Sequence, residues 1–264
     1  MRRFLTTSSA RATLCAVAVG VVTLTSQVSS AEPRVAVEFK TQPASAAVAA
    51  VKAVKPGAQN AIRFSSPTAA TEPAVKFASA EAVRSAIKFE TVRWGGKPVQ
   101  TLDEASRILL AKAAAEKAGL REVGLSYHDV YGVIEAETSW IPRTGSSKNG
   151  TPNLGLAQFE PRTAAGMGLK DPSDPVQAVF AAAQYMKMGA QWASGKIGHL
   201  KSDPELYAAK LREGVSVHYN LSIKGRNKWN GLNTAQLPVE TQRHIRNAAM
   251  GAKEAMELAR LLRT

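Results

Sequence analysis

Cysteine is all but missing from this chain: of 264 residues one is cysteine, Cys15, and it lies within the first 31. A disulfide framework and a thiol nucleophile are therefore both excluded for the rest of the chain, whose core must hold by packing. Histidine is scarce as well. His128, His199, His218 and His244 show no close ligand spacing, so neither a metal centre nor a cofactor is expected. Acidic residues number 21 against 34 lysines and arginines, a formal net charge of +13. Beyond the first 31 residues no segment is apolar enough to span a bilayer.

What is present begins with a leader pattern. Arg2, Arg3 and Arg11 precede the apolar run Ala12 to Leu24, and Ser29-Ser30-Ala31 supplies small residues before Glu32. This predicts a secretory signal peptide over 1–31 and a chain that is exported, periplasmic or secreted, with no stable membrane span after cleavage. Small residues do not precede Cys15 as they would in a lipoprotein leader. Residues 1–31 hold three arginines and no acid, so +10 of the +13 remains on the rest of the chain. Such a surface favours polyanions, or simply keeps the protein soluble. Nucleic acid is not expected for an exported chain without a binding motif. A cell-wall polymer bearing peptide carboxylates fits better.

Residues 32–98 read as a low-complexity, largely disordered arm. Ala, Val, Pro, Lys and Ser dominate it, and few bulky apolar residues are available for burial. A short pattern of aliphatic, charged, then Phe recurs at Val37-Glu38-Phe39, Ile62-Arg63-Phe64, Val75-Lys76-Phe77 and Ile87-Lys88-Phe89. These beads could dock a protein partner or pair as short strands; equally, they could be incidental to a spacer.

From residue 99 to 264 the texture is helical. Thr101 with Glu104, and Ser126 with Asp129, are spaced as helix-capping pairs. Asp174-Pro175, Asp203-Pro204 and Pro238 mark three further helix starts. The last helix carries Ile245, Ala248, Ala249, Ala252, Met256, Ala259 and Leu262 at helical spacing. No stretch alternates as a strand does. The expected fold is all-α, with a disordered N-terminal arm.

One acid stands out. At about 100° per residue, Glu137 falls in the middle of the apolar stripe made by Val130, Val133, Ile134 and Ile141. Glu135 points roughly 160° away and is expected in solvent as an ordinary surface charge. A carboxyl group partly removed from water resists ionising. A general acid must hold a proton near neutral pH. Geometry alone leaves two roles open for Glu137: a general acid, or a structural carboxylate paired with an arginine or a backbone group.

The residues that follow carry a resemblance. Glu137-Thr138, Pro142, Gly155-Leu156-Ala157-Gln158, Pro161, Thr163-Ala164, Tyr219-Asn220 and Leu237-Pro238-Val239-Glu240-Thr241 occur in the order seen in soluble lytic transglycosylases. Residues 125–250 resemble that family. The resemblance implies a lysozyme-like, mainly helical catalytic domain. It also implies cleavage of the MurNAc–GlcNAc bond of peptidoglycan glycan strands without added water, leaving a 1,6-anhydromuramyl end. Glu137 would act as acid and then as base. This departs from the two-carboxylate plan of most glycosidases. Gly155 and Leu156 would shape the turn under the cleft. Gln158 would offer its amide to sugar or to Glu137, or else satisfy backbone groups. Tyr219 would face the acid across the cleft, or serve as core, with Asn220 supporting that corner. Trp140 is as suited to the core as to stacking on sugar.

Departures from the family pattern set the rival readings. Thr138 stands for Ser, Ala157 for Met, and His244 for an aromatic Tyr. The loop Arg143 to Asn153 is long, and either Ser146 or Ser147 fills the place of a substrate-touching serine. Glu160 stands where an apolar residue is usual. It could orient a water, or sit idle in solvent. A hydrolytic muramidase using Glu160 or Asp129 is thus one alternative. A non-catalytic wall-binding or secretion-assembly module is another.

Overall fold

The computed structural model describes residues 79–147 and 149–262. The expected signal peptide, the first three beads and the arm up to residue 78 lie outside the described residues.

The boundary drawn at residue 98 is corrected by order that begins earlier. Ser79 caps helix α1 (Ala80–Ala86) by accepting from the Ala82 amide at 3.2 Å. Val83 is fully buried, and Ile87, from the fourth bead, packs against the core. Arg84 reaches Asp174 at 2.6 Å, fixing α1 to the start of a later helix. Strands β1 (Phe89–Trp94) and β2 (Lys97–Leu102) then form an antiparallel hairpin with Trp94 opposite Lys97. Gly95 and Gly96 turn it, with φ of +56° and +80°. Two successive left-handed residues make the type I′ turn that matches strand twist, and glycine adopts it without steric cost. Thr101, expected to cap the next helix, belongs instead to β2, and its hydroxyl donates to the Trp140 carbonyl at 2.6 Å.

Helix α2 (Glu104–Ala118) is capped by Asp103 and stopped by Gly119 in the left-handed conformation. Helix α3 (Tyr127–Thr138) begins at the expected capping box of Ser126 and Asp129. Its last turn gives way to Ser139 and Trp140, both at positive φ, so the chain reverses before Pro142. Two-residue strands β3 (Gly145–Ser146) and β4 (Pro152–Asn153) pair, followed by α4 (Pro161–Gly166). The long helices α5 (Pro175–Lys196) and α6 (Pro204–Asn220) start at Asp174 and Asp203 as expected. Short α7 (Ile223–Arg226) precedes α8 (Val239–Leu261), for which Pro238 is the cap rather than the first helical residue.

Burial explains how these helices meet. Val130, Tyr131 and Ile134 of α3 are fully buried, and α2, α5 and α8 surround them. The α3–α8 crossing is the closest. A methyl group on Gly132 would meet the Ala248 carbonyl, and one on Gly251 would come 2.7 Å from the Glu135 Cβ. Small residues therefore line α8 where it touches α3. Its buried stripe is Thr241, His244, Gly251, Ala252, Ala255 and Ala259, which shares Ala252 and Ala259 with the expected apolar row and is turned from it by about 40°. Trp140 resolves to core: it is fully buried beside Tyr131, with ring centroids 5.1 Å apart. Among the described residues no helix is long and apolar enough to cross a membrane.

Candidate active site

Glu137 occupies the last turn of α3, where four carbonyls lack helical partners. The exposed residue Arg143 meets this need: its guanidinium donates to the Glu137 carbonyl at 2.6 Å. The Glu137 side chain is 15% exposed, intermediate between core and solvent. Its Oε1 lies 2.9 Å from Nε2 of His244, which α8 delivers from a buried position. Nδ1 of His244 has no partner among the described residues. A neutral ring with its proton on Nε2 leaves no buried N–H unpaired, because burying an unbonded donor is costly. In that tautomer His244 donates to Oε1 and leaves Oε2 for chemistry.

Tyr219, from the end of α6, lies on the other side of His244, the rings nearly parallel with centroids 6.0 Å apart. It also stacks on Phe159 at 5.4 Å. Its hydroxyl donates to the Ala157 carbonyl at 2.9 Å, so its one proton is committed to the turn rather than to Glu137. Burial first, and then the negative charge of Glu137, push the phenol well above its ordinary pKa. The phenol therefore stays protonated and the tether to Ala157 persists. Asn220 accepts from the Thr241 hydroxyl at 2.8 Å, joining the ends of α6 and α8.

The Gly-Leu-Ala-Gln segment is a tight turn between Leu154 and Phe159, whose backbones pair. Gly155 has φ of +68° and backs onto the Pro172 carbonyl, so a side chain there is barred twice over. Leu156 is buried, and its carbonyl lies 3.2 Å from the Thr138 hydroxyl, which ties the turn to the residue after Glu137. Gln158 holds φ of +49°. Its amide nitrogen lies 2.8 Å from both the Gly155 and the Arg143 carbonyls. The amide nitrogen thus satisfies backbone, and the amide oxygen packs against Gly145, where an added methyl group would meet it.

The remaining acids are placed differently from expectation. Glu135 is not a free surface charge. It is half-buried against Gly251 of α8, where burial first and then the nearby Glu254 carboxylate raise its pKa. Asp129 is 8% exposed, closes the α3 capping box and pairs with Arg212 at 2.8 Å. It is committed to structure and unsuited to activating water. Glu160 is half-buried and accepts from Ser147 at 2.6 Å, so it is not idle in solvent. Ser146 is exposed and turns its hydroxyl to the Ser147 carbonyl at 3.2 Å. Of the two serines, Ser147 is the one that reaches a site carboxylate.

Sequence reasoning missed two members of this constellation. His244 stood out only as a departure from pattern, and Arg143 only as a loop boundary. Neither spacing nor periodicity could pair a histidine on α8 with an acid 107 positions earlier.

Residues 114–235 match the family described as Transglycosylase SLT domain, and the helical fold over those residues is consistent with that lysozyme-like family. The match contains Glu137, Gln158, Tyr219 and Asn220, and stops short of α8 and His244. No curated protein and no solved structure matches the chain.

Proposed function

We propose that this protein is an exported lytic transglycosylase that cleaves the MurNAc–GlcNAc linkage of peptidoglycan, with Glu137 as its single catalytic acid and base. The observation that carries this reading is the Glu137 carboxyl itself. It is partly buried, anchored on Oε1 by His244 at 2.9 Å, and its neighbour Thr138 is tied to the Leu154–Phe159 turn through the Leu156 carbonyl. A carboxyl group so held has one oxygen fixed and the other directed by the first, as a positioned proton donor requires.

The steps balance without an added reactant. Protonated Glu137 donates to the glycosidic oxygen, the C1–O bond breaks, and its electron pair leaves with the departing sugar hydroxyl. The N-acetyl carbonyl of the substrate stabilises the positive C1. Glu137, now a carboxylate, accepts the proton of the C6 hydroxyl as that oxygen closes on C1. The acid is restored and the product carries a 1,6-anhydro bridge. Gln158 supports this by pinning the turn with its amide nitrogen.

Digestion of purified sacculi by the wild type and by Glu137→Gln tests the reading. Products one water lighter than hydrolysed muropeptides are expected from the wild type. None are expected from the variant, since removing a placed acid costs about 10²–10⁴ in rate. Products of full hydrolytic mass would overturn the transglycosylase assignment in favour of a muramidase. Sacculus binding without any release would leave a wall-binding module.

A further inference from the structure

Trp94 is an exposed indole, 45% accessible, at the tip of the β1–β2 hairpin. The hairpin precedes the 114–235 family match, so the family assignment gives it no role. Alternation puts Trp94 on the same face as Val92, Val99 and Thr101. That face turns inward toward its base, where Val92 and Val99 are half-buried and buried Thr101 donates to the Trp140 carbonyl, while Lys97 opposite Trp94 is exposed at the tip. The tip overhangs the segment that leaves the catalytic helix. There the Arg143 guanidinium lies 5.5 Å over the indole ring. The same guanidinium donates to the Glu137 carbonyl, and the Arg143 carbonyl accepts from the Gln158 amide. A single arginine therefore separates an open aromatic face from both proposed site residues.

A large apolar side chain fixed by an arginine on one side and still half in water is a poor core residue. It is a good platform. The axial C–H groups of a pyranose ring present weakly positive apolar surface, which suits the negative face of an indole. Arg143 covers one face of the ring and fixes its tilt by cation–π attraction. The other face is left to a ligand.

We propose that Trp94, braced by Arg143, is an aminosugar-stacking subsite that extends the groove beyond the bond-breaking centre and selects for longer glycan strands. This rests on the glycan-cleaving reading of Glu137. Full-length Glu137→Gln protein, which holds substrate without turning it over, is titrated with peptide-free glycan strands and with a disaccharide. Trp94→Ala in that background should weaken binding of long strands about tenfold and leave the disaccharide unchanged. Trp94→Phe, which keeps an aromatic face, should stay within about threefold. Unchanged long-strand affinity in Trp94→Ala would overturn the subsite alone, as would equal losses for long and short ligands. Failure of the Glu137→Gln protein itself to bind any glycan would overturn the glycan reading, and the subsite with it. Melting temperatures of the Trp94 variants should match their parent.

Discussion

At the scale of single residues, the site depends on one contact that crosses the molecule. His244 gives Glu137 a fixed partner, 2.9 Å from its Oε1. If that bond orients the carboxyl for proton transfer, His244→Ala should lower kcat by about 10- to 100-fold. KM should change little, because His244 is buried and cannot touch sugar. Steady-state kinetics on solubilised glycan strands check this. A rise in KM with kcat intact would assign His244 to the groove wall instead. The sequence allowed Glu137 to be singled out because a lone acid within an apolar stripe is visible from helical periodicity. Glu135 was misplaced for the same reason. A helical wheel assumes one helix against one core, whereas α3 is also gripped from behind by α8, so the side opposite Glu137 is only half solvent. Contacts between elements far apart in the chain, such as Glu137 with His244 or Asp129 with Arg212, have no local signature at all.

At the scale of elements, the α3–α8 crossing determines where His244 can stand. Gly132 and Gly251 let the two backbones touch, and no bulky residue intervenes. Gly132→Ala places a methyl group against the Ala248 carbonyl, which cannot move aside as a side-chain tip would. The helices must part, at a cost of about 1–3 kcal/mol or somewhat more. Denaturant melts should show that loss. Activity of the folded fraction should fall too, because α8 carries His244 away from Glu137. A variant of wild-type stability would mean the crossing is looser than these backbones indicate. The same crossing explains why the α8 stripe is turned by about 40° from its apolar row: its contact face is made largely of Gly, Ala and Thr, which hydropathy ranks below the neighbouring Ile245 and Met256. The hairpin was missed for a different reason. Gly95-Gly96 between Phe89–Trp94 and Lys97–Leu102 is a legible type I′ signal, but the alanine- and proline-rich composition upstream drew the arm across it.

For the whole molecule, helix starts were the most legible feature, since Ser126-Asp129, Asp174-Pro175 and Asp203-Pro204 each satisfy amide groups locally whatever the tertiary fold. How that fold responds to acid depends on groups buried without charge. His218 is 4% exposed, packed against Gly189, and its Nδ1 has no partner among the described residues. Burial first, and then the nearby Arg226 charge, lower its pKa from 6.5 to about 4. His128 is lowered in the same sense, chiefly by burial. A histidine kept neutral in the fold contributes stability that is fully present above its unfolded pKa, near 6.5. That stability drains away as pH falls through the window to about 4, where the unfolded chain binds a proton that the native one refuses. The shift corresponds to about 3 kcal/mol for His218. Glu135, raised by burial and by Glu254, has the opposite sign: its term is present below the unfolded carboxyl value and lost as pH rises through the folded one, so it offsets part of the histidine loss only at the acid end. Unfolding free energy measured at intervals between pH 7 and 4 should therefore decline with acid. His218→Asn, whatever its absolute stability, should show a shallower decline than wild type, because the neutral side chain has no proton to bind in either state. An identical slope in the variant would place the acid sensitivity elsewhere, with His128 the next group to replace.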